Sequence, residues 1–111
     1  MPAQGSQMAH QLPSMKDMEE HSDEAARVLK ALANSNRLMV LCALVEGERS
    51  VGEINEKVPL SQSALSQHLA RFRREGLVAT RRESQTIYYR IADDKVLELM
   101  GKLYELYCAT D

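Results

Sequence analysis

One segment, residues 60–78, constrains the fold more than any other part of the chain. It predicts a short amphipathic helix that begins after an N-cap at Ser61. At about 100° per residue, Leu69 and Phe72 fall within about 40° of Leu65 on the helical wheel, so these three define an apolar face. The opposite face carries small, amide-bearing and basic side chains, which reach base edges and phosphates without bulk. That face is typical of a recognition helix in a DNA major groove.

The residues around this segment predict a helix-turn-helix. Ser50 is placed to cap a short helix over residues 51–58, and Pro59 closes it. Three residues, Pro-Leu-Ser, then form the turn into the second helix. Gly76 ends that second helix, because glycine tolerates the backbone conformation that follows a last helical turn.

A β-hairpin is predicted directly after the second helix. Residues 77–83 and 86–91 are rich in Val, Thr, Ile and Tyr, and the polar pair Ser84-Gln85 separates them. A hairpin in this position is the wing of a winged helix. The predicted fold class is therefore a mainly α winged helix-turn-helix with a β-hairpin wing, in the order α-α-α-α-β-β-α.

The remaining helices complete a single domain over residues 15–111, after a disordered lead over residues 1–14. These helices are predicted over 15–32, over 36–46 after a cap at Asn34 or Ser35, and from a cap at Asp93 or Asp94 to Cys108. No segment approaches the roughly 18 consecutive apolar residues of a membrane span. The lead has no apolar core of the signal-peptide type, so we expect a cytoplasmic protein.

The net charge of −2 conceals a strong internal asymmetry. Residues 61–90 hold six arginines against two glutamates, a balance of +4, and the rest holds eight basic and fourteen acidic residues, a balance of −6. Arginine forks onto phosphate or guanine, whereas lysine acts as a point charge. A cationic patch on an acidic body indicates a protein that binds a polyanion in one orientation.

The first and last helices carry more apolar positions than a lone helix needs. These positions either fill the domain's own core or pack against a second copy, and we predict a homodimer through the first and last helices. A dimer would set two recognition helices roughly 34–36 Å apart, on a pseudo-palindromic operator. In the last helix the apolar residues are Val96, Leu97, Leu99, Met100, Leu103, Tyr104, Leu106 and Tyr107.

Four stretches of the chain are typical of one known family. They are Leu32-Ala-Asn-Ser-Asn-Arg-Leu38, Leu60-Ser-Gln-Ser-Ala-Leu-Ser-Gln-His-Leu69, Gly76-Leu-Val78, and the wing from Arg82 to Tyr89. With them the chain resembles the ArsR family of bacterial winged-helix repressors, over residues 15–108. Within that family it is similar to the thiol-sensing branch, which responds to persulfides or oxidants instead of metals. The resemblance implies a DNA-binding repressor.

We predict ten DNA-binding residues on the recognition helix and the wing. Ser63, Gln67 and Arg71 are predicted to point at base edges, with Ser66 on the flank. Ser61 and Gln62 at the helix N-terminus offer backbone N–H groups to phosphate, and the arginines Arg74, Arg81 and Arg82 meet phosphate or the minor groove. The ten residues are Ser61, Gln62, Ser63, Ser66, Gln67, Arg71, Arg74, Arg81, Arg82 and Gln85.

The metal ligands of other family members are missing from this chain. Metal-sensing relatives carry a Cys-x-Cys pair at the start of the third helix, where this chain has Ser50 and Gly52. Others use Asp and His on the last helix, but residues 93–108 contain no histidine. We therefore predict no metal and no cofactor. A site built from cysteine and histidine of two subunits remains an open alternative.

Cys42 lies on the helix predicted over residues 36–46, the second along the chain, and Cys108 lies at the end of the last helix. A small buried cysteine is often only packing. The resemblance, however, implies that thiol sensors carry one cysteine on each of these helices. A cytosolic disulfide is usually transient and regulatory. We predict that reactive sulfur species or an oxidant crosslinks the pair and weakens operator binding.

Three other functions compete with this interpretation. An enzyme is disfavoured, because no Gly-x-Ser-x-Gly elbow or phosphate-binding glycine loop occurs, although a thiol peroxidase built on Cys108 is conceivable. The second is a winged-helix regulator whose cysteines are inert. The third is a metal-sensing repressor.

Overall fold

The computed structural model describes residues 14–108. The predicted disordered lead lies outside the described residues, apart from Ser14. Residues 14–108 form five helices and three strands, and the mainly helical fold with a β-hairpin is as predicted. The elements are α1 (Met15–Leu32), α2 (Ser35–Leu44), β1 (Arg49–Ser50), α3 (Val51–Lys57), α4 (Gln62–Arg74), β2 (Val78–Glu83), β3 (Thr86–Ile91) and α5 (Asp94–Tyr107).

The described residues divide into two compact units between Lys30 and Ala31. The first unit is helical, and its helix begins where the Ser14 hydroxyl accepts a hydrogen bond from the Asp17 backbone N–H at 3.1 Å. Asp17 in the first turn and Lys30 near the end complement the helix dipole. Within residues 14–108, none of the five helices is long and apolar enough to cross a membrane.

The second unit is organised around a core of fully buried apolar side chains. The face of α4 predicted from the helical wheel lies in it, since Leu65, Leu69 and Phe72 each have 0% exposure. Helices α2, α3 and α5 contribute the other fully buried residues, together with Val58, which directly follows α3. The other fully buried residues are Val40, Leu41, Leu44, Ile54, Val58 and Val96.

Side-chain caps start the helices of this unit at the predicted places. Asn34 accepts hydrogen bonds from two backbone N–H groups of α2, at 2.9 and 3.1 Å. Ser50 and Glu53 form a reciprocal capping box at α3. Ser61 accepts from the first turn of α4 at 3.1 Å, and Asp93 caps α5. Each such cap contributes about 1 kcal/mol, so the local sequence fixes where these helices begin.

The sheet has three strands in the order β1-β3-β2. The hairpin runs from the pair Val78–Ile91 to the pair Glu83–Thr86, with the predicted two-residue turn. Strand β1 adds the pairs Arg49–Tyr89 and Ser50–Tyr88. The sequence analysis predicted only the hairpin, because a two-residue strand has no alternation of polar and apolar residues to detect.

Helix α5 ends at Tyr107, one residue before the predicted Cys108, and two other helices also end earlier than predicted. Helix α2 stops at Leu44 instead of residue 46, in a turn that leads to Gly47 at φ +148°. Helix α3 stops at Lys57, because Val58 adopts an extended backbone and turns its side chain into the core. Both shifts amount to the frayed last turn that propensity does not specify.

The end of α4 is closed by a Schellman motif at Gly76. The Gly76 N–H bonds to the Arg73 carbonyl at 3.1 Å, and the Leu77 N–H bonds to the Phe72 carbonyl at 2.9 Å. Gly76 has φ +77°, and Leu77 and Phe72 are both buried. This closure positions β2 directly after the recognition helix.

We expect Gly76→Ala to lower the free energy of unfolding by about 1–2 kcal/mol, because a side chain is strained at positive φ. Thermal unfolding should then shift down by about 4–8 °C for each kcal/mol in a domain of this size. Gly101→Ala is the control, since an added Cβ there meets nothing within 4 Å in a regular helix. It should stabilise the protein slightly. Equal destabilisation by both variants would contradict the assignment.

Candidate nucleic-acid interface and cysteine groove

Because the inner face of α4 is buried in the core, its outer face is exposed to solvent. All but one of the predicted DNA-binding residues on this helix are exposed, and the exception, Arg71, is half-buried. Acidic residues are absent from its first turn. The exposed members are Ser61, Gln62, Ser63, Ser66, Gln67 and Arg74.

The N-terminus of α4 has the chemistry of an anion contact. The Ser61 hydroxyl accepts from the Ala64 N–H and lies 3.4 Å from the Ser63 hydroxyl. Backbone N–H groups in a first helical turn have no partner within the helix, and the helix dipole favours negative charge there. The arrangement suits a phosphate oxygen.

Arg71 is held by a weak ion pair along the helix. Its Nε lies 3.4 Å from Oε2 of Glu75, with the two side chains 42% and 26% exposed. The other carboxylate oxygen of Glu75 is buried and finds no hydrogen-bond partner in the described residues. Pairs this exposed contribute about 0–1 kcal/mol, so Arg71 can exchange Glu75 for a base at little cost.

His68 lies on α4, and Arg37 near the start of α2 is close enough to act on its charge. Burial lowers the pKa of its imidazole, and the positive charges of Arg37 and then Arg71 lower it further. The side chain is half-buried. The lowered pKa favours the neutral imidazole at pH 7, so His68 adds little charge to the outer face of α4.

The two arginines of the wing differ in their surroundings. Arg82 and Gln85 are exposed near the tip. Arg81 Nε donates to both carboxylate oxygens of Glu48 at 2.9 Å, and its Nη1 donates to Glu83 at 2.8 Å. The hydrogen bonds that Arg81 donates to Glu83 and then to Glu48 raise its pKa. Arg81 therefore already has two carboxylate partners, which would compete with a phosphate for its charge.

Sequence reasoning did not find the partners of Arg81. Tyr88, whose ring centroid lies 4.8 Å from the guanidinium carbon, was readable in principle. A two-residue turn after Glu83 sets the cross-strand pairs, and it places Tyr88 opposite Arg81. Glu48 lies 33 positions away in the sequence and carries no local signal.

Both cysteines line one open groove between α2 and α5, of about 610 Å³. Cys42 lies in α2, Cys108 directly follows α5, and both carry free, exposed thiols. The walls are largely apolar, with Arg49 and Lys57 among the lining residues. The apolar lining includes Leu38, Met39, Val45, Met100, Leu103 and Tyr104. The fold therefore brings the two predicted sensor residues to the same concave surface.

Potential metal ligands do not gather on the described surface. Within residues 14–108, no three His, Cys, Asp or Glu side chains lie close enough together to hold a metal ion.

Residues 34–80 match the family described as "Bacterial regulatory protein, arsR family". The chain is 48% identical over 95 residues to the transcriptional activator HlyU of Vibrio cholerae, covering 86% of this chain and 88% of the relative. It is also 43% identical to the biofilm growth-associated repressor of Xylella fastidiosa, covering 86% and 84% of the two chains. The chain belongs to the arsR family.

Solved structures agree with this assignment. The repressor BigR from Xylella fastidiosa superposes with a TM-score of 0.83 at 42% identity, covering 88% of this chain and all of that one. The structure described as reduced HlyU from Vibrio cholerae gives a TM-score of 0.80 at 48% identity, covering 86% and 100%. The predicted winged-helix fold and the HlyU and BigR branch are confirmed.

Membership in the arsR family establishes the general activity. Helix-turn-helix regulators of this family bind double-stranded DNA, and they are not enzymes. The predicted regulator is confirmed at that level. The individual DNA-binding residues and the role of the cysteines stay predictions.

Arg71→Ala should weaken binding to a duplex that the protein has selected from a random pool but change binding to random DNA little, because Arg71 is predicted to contact base edges. Arg82→Ala should weaken binding to both duplexes and reduce the slope of log K against log salt by about 0.9, as one phosphate contact is lost. Anisotropy titrations at several salt concentrations measure both effects. The same loss of specificity in the two variants would refute this division of roles.

A second expectation concerns pH. The pKa of His68 is below the ordinary value of about 6.5 in the folded protein. Below that value the unfolded chain takes up a proton that the folded state resists, so stability falls as pH drops. Urea midpoints at pH 7.5 and 5.5 should differ less in His68→Gln than in the wild type. His21→Gln serves as control, and an unchanged pH dependence in His68→Gln would overturn the assignment.

Proposed function

We propose that this protein is a dimeric, thiol-responsive repressor that releases its operator when Cys42 and Cys108 become crosslinked. One observation carries the proposal: the two thiols line the same groove, one on α2 and one at the end of α5. A relative at 48% identity has been described in a reduced form, which fits a family branch with a redox-dependent state. The site of action would be the cytoplasm, where such a crosslink is reversible.

The proposed dimer uses the outer half of α5. The first half of this helix buries Val96 and Met100 in the domain core. The second half leaves Tyr104, Leu106 and Tyr107 60%, 66% and 82% exposed. Exposed aromatic and aliphatic residues in a cluster are typical of protein interfaces. Helix α1 also carries exposed apolar residues, Met15, Met18 and Leu29, which would join the interface.

A dimer explains how one short helix attains specificity. Paired recognition helices would contact two half-sites about one DNA turn apart, roughly 34–36 Å. Two weak sets of base contacts then act on one pseudo-palindromic operator. Occupancy of that operator would block transcription, as the name of the biofilm growth-associated repressor suggests for a relative.

The crosslinking chemistry balances with a persulfide as the oxidant. One cysteine thiolate attacks the outer sulfur of R–S–SH, forms a cysteine persulfide and expels R–S⁻. The second thiolate attacks the inner sulfur of that persulfide, forms the Cys42–Cys108 disulfide and expels HS⁻. Two thiols are oxidised and one persulfide is reduced to a thiol and a sulfide. With hydrogen peroxide the same disulfide forms through a sulfenic acid, and two waters are released.

Geometry would choose between these inducers. A direct disulfide needs Cα atoms about 4.4–6.8 Å apart. If the groove holds Cys42 and Cys108 farther apart, a bridge of three or four sulfurs spans the gap without backbone movement. A trisulfide forms when one cysteine persulfide attacks the inner sulfur of another and HS⁻ leaves. A wider groove would therefore select persulfides over peroxide.

The crosslink would act through the helices that it joins. Helix α2 packs in the core with α4, and α5 would belong to the dimer interface. A covalent tie between α2 and α5 fixes their separation and disfavours the spacing that DNA requires. A coupling of about 1–3 kcal/mol, or 5- to 150-fold in affinity, would make an effective switch.

Cys42→Ser and Cys108→Ser should each keep operator binding yet lose release by persulfide, because neither can form the intramolecular bridge. The probe is a duplex selected from a random pool by the reduced protein, with anisotropy as the readout. Mass spectrometry of each sample reports the bridge. Ala43→Ser, which changes a neighbouring groove residue and keeps both thiols, should release DNA like the wild type.

Release by either cysteine variant would remove the thiol pair as the sensor. Unchanged binding by a fully crosslinked wild type would favour the alternative regulator with inert cysteines.

A further inference from the structure

A short segment, residues 45–50, touches both the cysteine groove and the wing. Val45, Glu46 and Arg49 line the groove together with the two cysteines. The same segment then becomes β1, whose residues pair with β3 of the wing sheet. Any movement at the end of α2 therefore reaches the wing through a few residues.

The groove end of this segment is fastened to α2. Arg49 Nε donates to the carbonyl oxygen of Ala43 at 2.7 Å, and its Nη2 donates to Glu46 at 3.0 Å. Ala43 directly follows Cys42 in the last turn of α2, where carbonyl groups lack helical partners. A cation at that end also complements the helix dipole. The position of Arg49 thus follows the C-terminal turn of the helix that carries the thiol.

The wing end is fastened by Glu48. Both of its carboxylate oxygens accept from Arg81 Nε at 2.9 Å, and this contact joins the loop before β1 to β2. The Arg81 guanidinium also lies over the ring of Tyr88, which pairs with Ser50 of β1. These contacts therefore link the loop residue Glu48 to all three strands, through Arg81 on β2, Tyr88 on β3 and Ser50 on β1.

We propose that Glu48 is a positioning residue that conveys the state of the cysteine groove to the wing, with Arg81 as its anchor. In this assignment Arg81 braces the wing and is not a phosphate ligand, unlike Arg82. The coupling role rests on the proposed thiol response, whereas the brace itself does not. A shift of α2 on crosslinking would move residues 45–50, and Glu48 would turn β2 and the wing tip relative to α4.

The size of the effect is bounded by the strength of the contact. Exposed ion pairs seldom change an equilibrium by more than about fivefold. Glu48 and Arg81 are 30% and 45% exposed, so the brace carries part of the response and not all of it. The covalent path through residues 45–50 and the core carries the remainder.

The test compares Glu48→Gln with Glu83→Gln. Both variants remove one carboxylate from Arg81, but Glu83 lies on the same strand as Arg81 and links nothing to the loop. Affinity for the selected duplex is measured for the reduced and the fully crosslinked protein. We expect the ratio of the two affinities to fall about two- to fivefold in Glu48→Gln and to stay at the wild-type value in Glu83→Gln. An unchanged ratio in Glu48→Gln, or an equal fall in both variants, would overturn the proposal.

A second measurement separates this proposal from the thiol response. Arg81→Met keeps the stem over Tyr88 and removes the charge. If Arg81 is a brace, the salt slope of DNA binding by the reduced protein stays at the wild-type value, even where affinity falls. A slope smaller by about 0.9 would make Arg81 a phosphate ligand and would refute the brace. If crosslinking leaves the DNA affinity of the wild type unchanged, the proposed switch is wrong. The salt slope would still decide the role of Arg81.

Discussion

The burial of one face of α4 is the constraint on which the rest of the structure depends. A helix of 13 residues is marginal in water, so packing and not propensity holds it. Leu65, Leu69 and Phe72 have no exposed surface, and each contributes about 1.5–3 kcal/mol by burial. Because those three side chains fix the rotation of the helix, they also fix which residues face outward. The exposed face of α4, which carries the predicted DNA-binding residues, is thus a consequence of the hydrophobic core.

Helix α2 links that core to the thiols. Leu41 and Leu44 are buried in the core, while Cys42, between them in sequence, faces the groove shared with Cys108. A close-packed interior does not deform smoothly, so in the proposed mechanism a covalent tie on one side of α2 would shift the residues packed on its other side. The same helix ends in the loop that holds the wing through Glu48. In the proposed mechanism, sensing and DNA binding therefore share structural elements and need no separate domain.

The sequence predicted features whose causes are local. The caps at Asn34, Ser50 and Ser61 and the apolar period of α4 appear where they were expected, because each rests on residues within one or two turns. Strand β1 and the Glu48–Arg81 contact were missed, since they depend on segments distant along the chain. The shared groove of the two cysteines was expected only through family resemblance. Residue spacing alone does not encode the distance between two helices.

Methylation interference on the selected duplex tests whether two recognition helices contact two half-sites of the operator. Dimethyl sulfate modifies guanine N7 in the major groove and adenine N3 in the minor groove, so one reaction reports both grooves. The account predicts two clusters of interfering guanines, centred about 10 base pairs apart, for the reduced protein. Interference confined to adenine N3, or a single cluster, would contradict two recognition helices that the proposed dimer holds at operator spacing, each turned outward by the buried inner face of its α4.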